Sequence, residues 1–314
     1  MRITVTGATG FVGRAVLTEL LSLQHTVNAV IREQSTNMSE SQTVIETAVG
    51  EIGPSTDWTD AVANVNCVIH CAARAHVMNE TNTDVIAAYR AVNVEGTRKL
   101  AYKAVDAGVS RLIYVSSIKV NGEQTISGSR FCSGDKAFPE DDYGISKWEA
   151  EQALYEVSAR TGLEVVIIRP PLVYGPEVKG NFLSLLSWLN KGIPLPLGKV
   201  HNQRSLVGID NLVDLIITCI DHPAAANQTF LVSDDEDLSS TELLRRMSKA
   251  LGKPAHAHLV PVPPTLLDFG LKLLGKQDIA QRLLGNLQVD ISHTKKVLDW
   301  TPSISVNEGL NKTA

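Results

Sequence analysis

Tyr143 and Lys147 stand four residues apart in Tyr143-Gly144-Ile145-Ser146-Lys147, and on a helix such positions share one face. A phenol and an ammonium then become neighbours. The free phenol titrates near ~10, and an adjacent cation favours phenolate, drawing the group toward the working range of a general acid or base. Ser117 closes the apolar run Ile113-Tyr114-Val115-Ser116 and brings a hydroxyl able to bridge the phenol and a substrate oxygen. The three residue types make a proton-transfer centre. Because a Tyr and a Lys at this spacing are also a common surface pair, the reading depends on the elements that position them.

Those elements begin with Ile3-Thr4-Val5-Thr6, followed at once by Gly7-Ala8-Thr9-Gly10-Phe11-Val12-Gly13 and a stretch with helical spacing of apolar residues. Strand, glycine turn and helix in that order form a dinucleotide cradle: the glycines permit a tight turn and close approach of a pyrophosphate, and the helix N-terminus supplies N–H groups. Gly7, Gly10, Phe11, Val12 and Gly13 are therefore candidate cofactor residues. A second strand, Val27-Asn28-Ala29-Val30-Ile31, ends at Arg32-Glu33. An arginine there suits the 2′-phosphate of NADP and an acid the ribose of NAD, so Arg32 favours NADP(H), with NAD(H) as the alternative through Glu33. Residues 43–49 read as a third strand leading to Glu51 and Ile52 near the adenine end. Cys67-Val68-Ile69-His70 reads as the fourth, and the small Ala72 and Ala73 beyond it let a cofactor pass close to the backbone. His70 and His76 read as core or rim histidines, without a second metal-binding partner at suitable spacing.

A helical pattern over 85–108 is interrupted at Asn93-Val94-Glu95-Gly96-Thr97, a fifth strand ends at Ser117, and 118–142 is a polar loop that lines the site. A sixth strand, 163–169, precedes Pro170-Pro171. Strands alternating with helices predict an α/β fold: a doubly wound parallel sheet with ligands at the carboxyl edge of its strands. The expected division is a dinucleotide-binding domain at 1–172 with a return segment at about 205–235, and a smaller, mostly helical substrate-binding lobe from 173–204 and 236–314.

The chain has 314 residues, 44% hydrophobic and 20% charged, with a net charge of -5. Nothing in that balance suggests nucleic acid as a partner. The four cysteines, Cys67, Cys71, Cys132 and Cys219, lack metal-ligand spacing, and reduced thiols in a cytosol fit them. Met1-Arg2-Ile3-Thr4-Val5 is a strand pattern rather than a cleavable signal, so a cytoplasmic protein is expected. No apolar run reaches the ~18–20 residues of a membrane span. Residues 265–274 are apolar enough for a membrane-surface helix, with packing on the second lobe as the plainer reading.

The glycine triplet, Ser116-Ser117, Tyr143-x-x-x-Lys147, Asn93-Val94-x-Gly96-Thr97, and Arg169-Pro170 with Val173-Tyr174-Gly175 together resemble the extended short-chain dehydrogenase/reductase family over nearly the whole chain. Within it the sequence looks most like the nucleotide-sugar epimerase and reductase branch, in which UDP-sugars are oxidised or reduced at C4. The resemblance implies Tyr143 as acid/base, Lys147 as its pKa partner and nicotinamide-ribose contact, and Ser117 as the hydroxyl on the substrate oxygen. Asn93, Ser116 and Pro170 are implied at the cofactor. Asn181 and Arg204 resemble the family's contacts to the sugar-nucleotide diphosphate, Leu195-Pro196-Leu197 its uracil-flanking segment, and Arg282 is the nearest candidate for a second diphosphate arginine. A homodimer through the 85–108 and Tyr143 helices is implied as well.

Two departures matter. Ser117 is followed by Ile118-Lys119, where sugar-nucleotide 4,6-dehydratases carry Asp-Glu, which argues against dehydration. Val120-Asn121-Gly122 replaces the family's Val-Tyr-Gly. The first expectation is an NADPH-dependent reductase of a UDP-4-keto, 6-deoxy, N-acetylated hexose, of use in cell-surface polysaccharide. The alternative is a UDP-glucose or UDP-N-acetylglucosamine 4-epimerase with retained NAD, and the remote alternative a non-catalytic dinucleotide sensor.

Overall fold

The computed structural model describes residues 1–33, 43–75, 84–254 and 258–314. Seven strands make one parallel sheet: β1 (Arg2–Thr6), β2 (Thr26–Ile31), β3 (Val44–Ala48), β4 (Cys67–His70), β5 (Arg111–Val115), β6 (Glu164–Arg169) and β9 (Thr229–Leu231), in the order β3-β2-β1-β4-β5-β6-β9. The order reverses between β1 and β4, the kind of switch point beside which open α/β sheets take ligands at the carboxyl ends of their strands. His76 lies outside the described residues.

Apart from the edge strand β3, the strands are buried on both faces, which is why they read as largely apolar runs. In β5, Leu112 and Tyr114 enter one core and Ile113 and Val115 the other; in β6, Val165 and Ile167 part from Val166 and Ile168 in the same way. The first layer is closed by α2 (Thr59–Val62), α4 (Thr97–Asp106) and α5 (Asp142–Thr161). The opposite layer is closed by α1 (Phe11–Ser22) and α7 (Ile209–Asp221). The interrupted helix of 85–108 is α3 (Val85–Arg90), a π-helical turn (Ala91–Gly96) and α4. Such a turn inserts a residue into the helix and re-aims the side chains around it.

After Pro170-Pro171 the chain leaves the large sheet. Strands β7 (Leu172–Tyr174), β8 (Arg204–Gly208) and β10 (Asp237–Leu238) form a three-stranded sheet, with β8 central. Helix α7 packs on the main core and β9 pairs with β6, whereas β8 pairs in the small sheet while still sending Val207 into the main core. Around this sheet pack α6 (Gly180–Asn190), α8 (Ser240–Ala250) and α12 (Val306–Thr313), whose core includes Phe182, Leu186, Leu195, Leu197, Leu244, Met247 and Leu310. Two further helices, α9 (Pro264–Leu273) and α10 (Gln277–Leu284), pack on each other, and α11 (Ser292–Leu298) reaches back to β9. No helix among the described residues is long and apolar enough to cross a membrane.

Candidate active site

The glycine turn joins β1 to α1 with Gly7 at φ +67°, a conformation open to glycine and strained for side chains. Steric need is more direct still. A Cβ at Gly7 would come within 2.8 Å of the Ala72 nitrogen, and one at Gly13 within 2.1 Å of the Gly7 carbonyl oxygen. Gly10 caps α1 without any side-chain hydrogen bond, and the first turn of α1 holds no acid, so the helix N-terminus is free of internal anions. These features fit a pyrophosphate. Phe11 and Val12 are half-buried and pack inward against the main core. Ala72 and Ala73 are half-buried at the end of β4, the Ala72 N–H donating to Thr6 Oγ1 at 3.2 Å.

His70 is a core residue, as read. It sits between Thr6 Oγ1 (2.6 Å to Nδ1) and Thr97 Oγ1 (2.9 Å to Nε2) and stacks on Tyr114. Burial, with the charge of Lys147, pushes its pKa down to about 3. The described residues contain no cluster of three or more side chains able to hold a metal ion.

At the ribose end, Arg32 and Glu51 are both exposed and lie 3.5 Å apart as an ion pair. Ile52 is half-buried and packs so closely on the π-helical turn that a Cβ at Gly96 would meet its Cγ2 at 2.5 Å.

The catalytic candidates converge beyond β5. Ser117 is extended and its Oγ accepts the Lys119 N–H at 3.2 Å, capping the short turn Ile118–Val120. The Nζ of Lys147 donates to the Val115 carbonyl at 2.7 Å and lies 4.0 Å over the Tyr114 ring. Tyr143, one turn earlier on the same face of α5, is half-buried with its ring 6.1 Å from that of Tyr89. Asp141 caps α5 by accepting the Gly144 N–H at 2.7 Å and also receives Lys119, which donates to Glu123 at 2.6 Å as well. The polar loop is thereby tied to the helix that carries the phenol.

The electrostatics differ from the sequence expectation. Burial, then the Asp141 carboxylate and Tyr89, raise Tyr143 above the ordinary tyrosine value, rather than Lys147 lowering it. The same burial pushes Lys147 down to about 7, against the opposing pull of Glu151 and Cys71. Desolvation disfavours phenolate and ammonium alike. Tyr143 therefore stands protonated at neutral pH, in the form that can give a proton away.

Three residues expected at the cofactor turn their polar groups inward instead. Asn93, buried in the π-helical turn, accepts the Arg74 N–H at 2.8 Å and donates to the Arg74 carbonyl and to Ser146 Oγ; Ser146 in turn donates to the Tyr143 carbonyl at 2.8 Å. Its amide therefore links the end of β4 to the Tyr143 turn. The Ser116 hydroxyl donates to Glu151 at 2.5 Å, and Pro170 is buried with its carbonyl accepting the Ile118 N–H. In each case burial demands a partner, and the nearest one is protein.

Sequence reasoning missed Glu151. One turn beyond Lys147, it is fully buried and grips Arg169 through two hydrogen bonds, 2.9 Å and 2.5 Å, while Arg169 also donates to Asn121. The signal was present: a lone acid at i+4 from Lys147 on the face that carries Ala150, Leu154 and Val157.

In the second lobe the candidates scatter. Asn181 is exposed on the first turn of α6. Leu195 and Leu197 are buried in the lobe's core, correcting their assignment to the substrate, and Pro196 between them is exposed. Arg204 is half-buried, its Nη1 donating to the Gly285 carbonyl at 3.0 Å, and its pKa is lowered by burial and by the nearby charge of Arg282. Two guanidinium groups thus approach each other between β8 and α10, an arrangement that favours an anion between them.

Comparison with known proteins agrees with this architecture. The chain is 49% identical over 314 residues to the UDP-glucose 4-epimerase of Vibrio cholerae, covering 99% of this chain and 94% of that protein. Among solved structures, the UDP-glucuronic acid 4-epimerase of Bacillus cereus in complex with NAD superposes with a TM-score of 0.80 at 19% identity, covering 100% of this chain and 95% of that one. The UDP-glucose 4-epimerase of Thermotoga maritima with UDP-glucose follows at 0.78 and 20%, covering 100% and 97%. At those identities the structural likeness is one of fold. A family model matches residues 3–233, spanning the glycine turn, Ser117, Tyr143 and Lys147, and the chain belongs to the NAD dependent epimerase/dehydratase family, as an enzyme.

Proposed function

We propose that this protein is a UDP-hexose 4-epimerase that works with NAD, in preference to the 4-ketoreductase first expected from the sequence. The observation that carries the reading is the 49% identity along the whole chain to a UDP-glucose 4-epimerase. NADP loses its support on two counts. Arg32 already faces the Glu51 carboxylate at 3.5 Å, a negative neighbour that disfavours a further 2′-phosphate. The solved relatives named with a dinucleotide carry NAD.

The residues divide the work as follows. The turn Gly7, Gly10 and Gly13 with the N-terminus of α1 would hold the pyrophosphate, and bound NAD supplies a reversible hydride acceptor for C4 of the sugar. As phenolate, Tyr143 would accept the proton of the sugar's 4-hydroxyl, and as phenol it would return that proton to the oxygen of the 4-keto sugar. Ser117 donates to or accepts from the same oxygen and fixes its position. Lys147, one turn along the same face of α5, would in its charged form offset part of the effect of burial and favour the phenolate through which Tyr143 must pass. Arg204 and Arg282 would take the diphosphate. Partly exposed Tyr102 and Trp148 on α4 and α5 support a homodimer through that face, and a cytoplasmic setting is consistent with this substrate.

The test has two arms. Protein purified without added cofactor is denatured and the released dinucleotide identified, and native protein is offered UDP-glucose and UDP-galactose separately. Near-stoichiometric NAD and interconversion without added cofactor are expected. Protein that releases nothing, binds NADPH and reduces a UDP-4-keto sugar would restore the reductase. Absence of turnover with every substrate, and no difference between wild type and Tyr143→Phe, would leave a dinucleotide sensor.

A further inference from the structure

Residues 265–274 entered the sequence analysis as either a membrane-surface helix or one packed on the second lobe. The helix that forms there, α9, contains no buried residue. Leu266, Phe269, Leu273 and the adjoining Leu274 are 60%, 62%, 73% and 70% exposed. Leu267 and Leu271 on the inner side are half-buried, Leu267 against the lobe's core. The helix is thus apolar inside and outside, and Thr265, Asp268 and Lys272 are its polar members. A helix apolar all round is ordinarily covered, and a contiguous exposed patch of large apolar side chains marks a surface that meets something.

Charge indicates what it meets. The chain as a whole is acidic at -5, yet between Glu177 and Asp210 it carries no acidic residue, and its lysines there, Lys179, Lys191 and Lys199, are all exposed. That basic segment lies alongside the chain leading into α9, with the Leu195 N–H on the His258 carbonyl at 2.6 Å and the Gly198 N–H on the Val260 carbonyl at 3.0 Å. Exposed Lys272 and Lys276 frame the end of the apolar face, and Asp268 is paired with Lys272 at 2.6 Å. An apolar, Phe-bearing helix face rimmed by lysines complements a layer of anionic headgroups over hydrocarbon. A second copy of this chain fits less well, since a two-fold contact sets the same patch against itself and brings like lysines together.

We propose that the outer face of α9, with the basic segment beside it, docks the second lobe on the surface of an anionic lipid bilayer. Binding is peripheral and reversible: apolar side chains enter the headgroup boundary, lysines meet lipid phosphates, and salt weakens the attachment.

The full-length protein is sedimented with vesicles of equal parts phosphatidylglycerol and phosphatidylcholine, and with phosphatidylcholine alone, at low and at raised salt. Wild type is expected to bind the anionic vesicles at low salt and to release as salt rises. Phe269→Asp/Leu273→Asp should lower the bound-to-free ratio at least about tenfold, and Lys272→Glu/Lys276→Glu by a smaller factor. Unchanged thermal melting shows that each variant folds. Failure of wild type to bind anionic vesicles at low salt overturns the proposal. So does binding by Phe269→Asp/Leu273→Asp equal to wild type. A shift of that variant to a smaller species in size-exclusion chromatography, with wild type not binding vesicles, assigns the face to a second copy and overturns it equally. Phe269→Ser/Leu273→Ser repeats the test if the aspartates unfold the helix.

Discussion

Around the end of β5, four buried polar side chains have protein partners: Ser116 in Glu151, Glu151 in Arg169, Asn93 in Arg74 and Ser146, and Lys147 in the Val115 carbonyl. In the second lobe the assignment runs the other way. Asn181 and Arg282 are exposed, while Leu195 and Leu197 are held in an apolar core. The first arrangement is preorganised, since groups locked by packing and hydrogen bonds keep a proton-transfer geometry without substrate. The second leaves its polar contacts to be ordered by the substrate itself, at some entropic cost. On the proposed function, chemistry would sit on the more densely hydrogen-bonded half and recognition on the other.

The largest test of that contrast is Tyr143→Phe. Turnover should fall about 10²–10⁴-fold, the scale of a lost acid–base group, with the melting temperature nearly unchanged. A modest loss in steady-state assays would mean that another group moves the proton.

In the second lobe, Leu195→Ala should destabilise the protein by about 2–5 kcal/mol, as a buried leucine does when truncated. Pro196→Ala, at an exposed site, should stay within about 0.5 kcal/mol. Chemical denaturation measures both. If Leu195→Ala left stability intact and raised only KM, the residue would belong to the substrate surface after all.

The smallest effect is a slope with pH. Lys147 is pushed from 10.5 down to about 7 in the fold, so between those values the unfolded chain binds the proton more readily than the folded one. Stability from this group therefore rises as pH climbs through that window, and is level below about 7, where both states carry the proton. Lys147→Met should lose the rising part of the melting-versus-pH curve. An unaltered curve would show that this ammonium is not desolvated.

The sequence was most legible where the constraint is local. Gly7 and Gly13 are required by contacts within one turn and the neighbouring strand end, and Tyr143 and Lys147 share a face through helix geometry alone. What it could not show is which way a polar group turns once buried. The resemblance implies Ser116 and Asn93 at the cofactor, yet the side chains of both face partners far away in sequence. For the same reason the environment of Tyr143 was misjudged: spacing reveals the ammonium, whereas the desolvation that outweighs it comes from the whole surrounding fold. Leu195 and Leu197 illustrate a third case, in which an apolar pair serves a core or a base-stacking wall equally well until the neighbouring strand is known.

Arg169 is the last residue of β6, directly before the two prolines at which the chain crosses into the small sheet. Through Glu151 it is bolted to the helix that bears Tyr143. The crossing into the small sheet is therefore tied directly to the helix that carries Tyr143. Chimeras that exchange the second half between relatives should be joined after position 169, so that Glu151 and Arg169 come from one parent.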